Sequence, residues 1–215
     1  MASLYHLTAS NTVTLDRPHY RTAPRISLLT GVLAGRTISV AHGVPAATTI
    51  DLACDLVQDT GLLVSVAAPG PLPALPGLVA TALARTAITA DRLELTVAAP
   101  AIEEAGIEAL LALSALRDLG IGIALRGFGR GRIAIVPRLP VNSLILSSSV
   151  IRDIPGDAAA TMLVHTLLGL ARSESLPVVA TGIETEAQRA LLSGIGCTDG
   201  EGGLFDTAAM ARHRP

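Results

Sequence analysis

Leu119-Gly120-Ile121-Gly122-Ile123-Ala124-Leu125-Arg126-Gly127-Phe128-Gly129-Arg130-Gly131 reads as a helix end, a buried strand and a glycine-rich turn in succession. Gly120 follows an apolar helical run and suits a left-handed helix cap. Ile121, Ile123 and Leu125 then alternate with Gly122, Ala124 and Arg126, the period of two of a strand. One face is bulky and aliphatic; the other is small and ends in a cation. Such a strand fits a barrel whose outer face packs on helices and whose inner face meets a crowded axis. A charge at the C-terminal end of that strand sits where barrels of this type keep their active sites.

Outward from this stretch the same alternation of strand and helix recurs. Residues 1–24 read as an irregular lead-in, and residues 25–215 as one domain. Ile26–Val32 and Arg36–Ala41 form a predicted hairpin around Ala34-Gly35. Thr48 or Thr49 is placed to cap a helix over Ile50–Asp59, closed by Gly61. Leu62–Ala67 is a strand, Leu75–Arg85 a helix, and Arg92–Val97 a strand with Glu94 and Thr96 facing inward. Ile102–Leu119 reads as the longest helix, its apolar face carried by Ile107, Leu110 and Leu111. Beyond the quoted stretch come a short segment Ile133–Val136, a strand Ser143–Ser147 and a helix from Asp157 to about Ser173. A strand Pro177–Thr181 follows, then a helix opened by the Thr185-x-x-Gln188 capping box and ended at Gly194, and a last strand at Leu204-Phe205. Strands alternating with helices at regular spacing predict a parallel α/β barrel, with a doubly wound open sheet as the structural alternative.

Composition narrows the function. The 215 residues carry a net charge of −2, which argues against non-specific nucleic-acid binding. All 16 basic residues are Arg, so lysine chemistry, including Schiff bases, is excluded. Half the residues are hydrophobic and only 2% aromatic, so the core must be aliphatic. Cys54 and Cys197 are far apart, match neither a zinc nor a disulfide pattern, and predict a reducing, cytoplasmic setting. No basic region precedes a long apolar run at the N-terminus, which predicts no signal peptide. Residues 60–84 are uncharged, but Pro69, Pro71, Pro73 and Pro76 rule out a regular spanning helix there.

The central stretch resembles the "LALDDFGTG" segment of the EAL domain, the cyclic di-GMP phosphodiesterase family. The order of motifs continues. Arg138-Leu139-Pro140-Val141 is similar to "RLPVD", Ala180-Thr181-Gly182-Ile183-Glu184-Thr185 to "AEGVET", and Gly196–Phe205 to "GCDYGQGYLF". Upstream, the predicted hairpin is similar to "PIVDLATGRVVGAEAL". The resemblance implies an EAL-like (β/α)8 barrel of the TIM type, trimmed on its N-terminal side by loss of the arginine-rich loop after Gly43. It also implies paired divalent ions held by carboxylates, which activate water against a phosphodiester.

Carried across residue by residue, the family's site positions fall on Ala41, Ala67, Thr96, Arg126, Gly127, Ile145, Ser147, Thr181 and Glu201. Carboxylates are expected at most of them in an active member. Arg126 beside a metal pair without those carboxylates would be repelled by several kcal/mol at a few ångströms, taking an effective dielectric of about 20. The resemblance therefore implies a catalytically inactive member, with no metal and no cofactor. The expected function is a regulatory protein-interaction module in signalling. A metal-independent receptor for cyclic di-GMP or another nucleotide or anion is the second reading, and a residual phosphodiesterase the third.

Local readings complete the expectations. Arg126, Arg130 and Arg132 with the amides of Gly127, Gly129 and Gly131 are candidates for an anion site. Against this, Arg126 is expected to pair with the inward carboxylate of Glu94, since a buried guanidinium must find a partner. Phe128, Ile133, Ile135 and Val136, rimmed by arginines, are candidates for an interface with another protein or a second copy of the chain, as EAL-like domains associate around this loop. His42, His165, Ser147-Ser148-Ser149 and Cys197 lack orienting partners and read as structural or exposed. Neither a nucleic acid nor a membrane is an expected partner.

Overall fold

The structure, a computed structural model, describes residues 20–129 and 139–206 and the backbone of residues 12–13. Eight strands close into a barrel. They are β2 (Tyr20–Ser27), β3 (Leu33–Val40), β4 (Leu63–Ala67), β5 (Leu93–Ala98), β6 (Gly122–Phe128), β7 (Ser143–Leu146), β8 (Val178–Thr181) and β9 (Asp199–Glu201). Their order round the ring is their order in the chain, and β2 pairs with β9 to shut it. β2 is antiparallel to both neighbours, while all other pairs in the ring are parallel. A short β1 (Thr12–Val13) pairs with the start of β2 outside the ring. The expected barrel is borne out; the open sheet is not.

Helices cover the outer face, as the strand-facing aliphatic residues require. α1 (Ala46–Thr60) buries Ile50, Leu52, Ala53, Cys54 and Val57 and ends at Gly61, whose N–H donates to the Val57 carbonyl at 2.7 Å. α2 (Leu75–Arg85) carries Pro76 in its first turn, where a missing N–H costs nothing. α6 (Ala158–Ser173) is capped by Asp157, whose carboxylate accepts from the N–H of Ala160 at 2.9 Å. α7 (Glu186–Gly194) opens on the predicted capping box, with Thr185 and Gln188 bonding reciprocally. Asn142 ties the start of β7 to β6 through two bonds to the Ile123 backbone. No helix among the described residues is long and apolar enough to cross a membrane.

Several sequence expectations are corrected. Tyr20–Pro24 are not lead-in but the first half of β2, whose buried Tyr20 and Thr22 alternate with outward neighbours. The hairpin turns at residues 28–32 rather than at Ala34-Gly35, because Gly31 supplies the positive φ of 70°. α1 begins at Ala46 after Pro45, so Thr49 lies inside the helix and is buried instead of capping it. The predicted helix Ile102–Leu119 is two helices, α3 (Ala99–Ala105) and α4 (Ile107–Asp118). Gly106, at φ 56° and ψ −127°, leaves helical geometry between them. That break rotates α4, so its core face is Ala109, Ala112, Leu113 and Leu116, while Ile107 and Leu111 face solvent. A short α5 (Ser148–Ile151) starts where a strand end was expected. Likewise Leu204 and Phe205 lie in a helical turn over residues 203–206, and the last barrel strand is β9 upstream of it.

Candidate functional site

The C-terminal ends of the strands open into a cavity of about 660 Å³. Ala41, Ala67, Thr96, Arg126, Ile145, Thr181 and Glu201 all line it, so topology brings most of the predicted site positions together. Gly127 and Ser147 do not line it. Gly127 follows Arg126 near the end of β6, and Ser147 shares a hydroxyl–hydroxyl hydrogen bond of 3.0 Å with Ser149 at the start of α5. Thr37, Ser39, His42 and Thr49 also line the cavity; no motif marks Thr37 or Ser39, while Thr49 was expected as a helix cap and His42 as structural or exposed.

Below the mouth lies a small apolar layer of Ala124, Ile145 and Val179, packed inside the ring. The polar layer within the barrel is organised by Arg25. This side chain is 2% exposed and projects from β2. Its Nη2 donates to Glu94 Oε1 at 2.9 Å, and its Nε donates to Glu201 Oε1 at 2.9 Å. Ser65 donates to Glu94 Oε1 at 2.8 Å, Ser143 to Glu94 Oε2 at 3.1 Å, and Thr37 to Glu201 Oε1 at 2.6 Å. Gly122 makes the room: a Cβ there would sit 3.3 Å from the Glu94 side chain. Burial alone would draw the Arg25 pKa down, but Glu94 and Glu201 more than offset that, and the net shift is upward. Burial also raises the pKa of the neighbouring Asp199, against a downward pull from Arg25.

The expected Arg126–Glu94 pair is therefore replaced by Arg25–Glu94. The reason is register. Glu94 is level with Gly122 on β6, whereas Arg126 is level with Ala98, four residues further along both strands. Arg126 is exposed and has no ion pair among the described residues. Arg25 could have been found from the sequence as a cation on the inward-facing period of an early strand, but its partners are 69 and 176 residues away.

The remaining candidates separate plainly. Arg130, Arg132, Ile133, Ile135 and Val136 lie outside the described residues. Phe128 is 4% exposed and belongs to the core, so it is not an interface residue; Gly129 beyond it closes on Leu167 and Val150. His42 and His165 are exposed. Cys54 and Cys197 are both buried, and burial pushes their thiols up to about 11 and about 12. Neither should react with Ellman's reagent at mildly alkaline pH while the chain is folded, and both should react in denaturant. Fast labelling of one thiol in the native chain would contradict this packing.

The divalent pair implied by the resemblance needs several anionic oxygens in one place. Glu94 and Glu201 already share one internal guanidinium, and among the described residues no three His, Cys, Asp or Glu side chains converge as a metal site. The residues present do not fit such a pair.

Comparison with known proteins agrees with this architecture. The chain is 36% identical over 132 residues to an uncharacterized signaling protein of Caulobacter vibrioides, covering 60% of this chain and 16% of that one. It is 37% identical over 91 residues to the cyclic di-GMP phosphodiesterase PA2567 of Pseudomonas aeruginosa, covering 41% of this chain and 16% of the relative. The chain thus spans about a sixth of the length of these two curated relatives. Among solved structures, the EAL domain of Mycobacterium smegmatis DcpA superposes with a TM-score of 0.77 at 19% identity, over 91% of this chain and all of that one, a likeness of fold. The family model described as the EAL domain matches residues 64–208, well over half of the 215, and the chain belongs to the EAL domain family.

Proposed function

We propose that this EAL domain is a non-catalytic regulatory module that acts in signalling by binding another protein. The observation that carries the reading is Arg25. A metal pair would have to displace a buried guanidinium from both Glu94 and Glu201, leaving that cation unpaired inside the barrel, at a cost of several kcal/mol. Around the mouth, Ala41, Ala67, Thr96, Arg126 and Thr181 supply no carboxylate to compensate. Apolar surface supports the interaction half of the reading: Ile107 and Leu111 share one face of α4 and are 70% and 66% exposed.

Incubation with cyclic di-GMP and millimolar Mg²⁺ or Mn²⁺ is the test. No linear dinucleotide should form above a blank, and calorimetry should detect no stoichiometric metal. Turnover that is lost on removing the metal would overturn the non-catalytic reading. In a companion capture experiment, the parent chain and an Ile107→Asp, Leu111→Asp variant are compared; equal capture of every bound protein would remove the α4 face as the docking surface.

A further inference from the structure

Arg126 and the unclaimed hydroxyl of Thr96 set the character of the mouth cavity. Arg126 is exposed, lines the cavity and makes no ion pair among the described residues. Thr96 is nearly buried, yet its hydroxyl has no protein partner among the described residues and borders the same space. The acidic residue in the lining, Glu201, takes the Arg25 and Thr37 bonds on Oε1 alone, so Oε2 stays open to accept from a ligand hydroxyl. Among the described residues a ligand entering here therefore meets the unpaired cation of Arg126, free hydroxyl capacity and one carboxylate oxygen.

Size and the scarcity of aromatic faces narrow the ligand. A volume of about 660 Å³ is that of a small-molecule pocket. No Phe, Tyr or Trp lines it, and its one ring among the described residues is the imidazole of His42. Tyr20, Phe128 and Phe205 are all buried in the core, so among the described residues no second ring is available to sandwich a base. Ser39, Thr37, Thr49 and Thr181 add hydroxyls around the wall. A guanidinium suits a planar or tetrahedral oxyanion through paired N–H donors, and hydroxyls suit a hydroxylated carbon skeleton.

We propose that the barrel mouth is a metal-independent binding site for a small hydroxylated compound bearing a single oxyanion group, gripped by Arg126 and met by the Thr96 hydroxyl. This goes beyond the interaction reading and does not rest on it. A fixed side-chain cation here supplies attraction that needs no dissolved metal.

Calorimetric titrations of the full chain in EDTA, with glucose 6-phosphate, gluconate, glucose and cyclic di-GMP as probes, test the site. Glucose 6-phosphate or gluconate should bind saturably and glucose should not; which of the two binds tells a phosphate ester from a carboxylate. Arg126→Gln should weaken that binding by about tenfold or more. It should leave the melting temperature unchanged, since Arg126 has no partner to lose. Thr96→Val should weaken it by a smaller factor. The proposal is overturned if neither anion binds at millimolar concentration, if Arg126→Gln binds like the parent, if binding requires Mg²⁺, or if cyclic di-GMP binds more tightly than either small anion. None of these outcomes depends on whether a protein partner is captured.

Discussion

Arg25→Met should lower the unfolding free energy by about 3–5 kcal/mol, the range for removing one member of a buried charge network. The effect is large because the loss is not one of attraction alone. Glu94 and Glu201 would remain inside the barrel, their hydroxyl donors insufficient to hold two anions out of water. Urea unfolding of parent and variant gives the difference directly. Adding Glu94→Gln and Glu201→Gln to Arg25→Met should recover much of the loss, since the stranded charges are then gone. The variant carries a second expectation. With the guanidinium absent, two carboxylates face the same interior space, so millimolar Mn²⁺ should raise the melting temperature of Arg25→Met and leave the parent unmoved. A variant that unfolds within about 1 kcal/mol of the parent would mean the carboxylates are solvated, contrary to the buried network.

Gly202→Ala should be comparably damaging. Gly202 sits at φ 146°, a conformation that side-chain-bearing residues rarely adopt. A Cβ would lie 2.3 Å from the Ile183 nitrogen and 2.4 Å from its carbonyl oxygen. Those are backbone atoms, and the Ile183 N–H is held by the Glu201 carbonyl at 2.9 Å, so neither side can retreat cheaply. Conformational strain and overpacking of about 1–3 kcal/mol each make a loss of several kcal/mol. Gly203→Ala, where an added methyl meets nothing within 4 Å, is the control and should stay within about 1 kcal/mol of the parent. Equal stability of the two variants would show that β9 does not end as described. Because Glu201 precedes Gly202 directly, a shift here would also pull one carboxylate away from Arg25.

The sequence was most legible where local patterns coincide with the fold. Alternation along Gly122–Arg126 placed Ala124 inside the ring and Arg126 at its mouth, and the Thr185–Gln188 box opened α7 as expected. It was least legible where a residue's partner is distant. Glu94 was rightly read as an inward carboxylate, but nothing near it in sequence names Arg25 or Glu201, and the more obvious cation, Arg126, is four residues out of register. The split at Gly106 was lost for a different reason. An apolar run such as Ile107–Leu116 has hydrophobic residues on more than one face, so its periodicity could not say that Leu113 and Leu116 turn inward while Leu111 turns out. Phe128 was misplaced by the same ambiguity at a strand end, where only the packing of the following turn decides which side is covered.

The closure of the ring by β2 and β9 bears on how the chain reaches this state. The Arg25–Glu201 contact spans 176 residues, so its two halves meet only after nearly the whole domain has been ordered between them. The entropy of closing so long a loop is lost before the contact can reward it. During synthesis β2 is made long before β9, so one edge of β2 stays open and only the Glu94 half of the Arg25 network has its partner until β9 exists. A chain that stops short of β9 therefore holds only part of this interior charge balance, with Arg25 paired to Glu94 but not to Glu201.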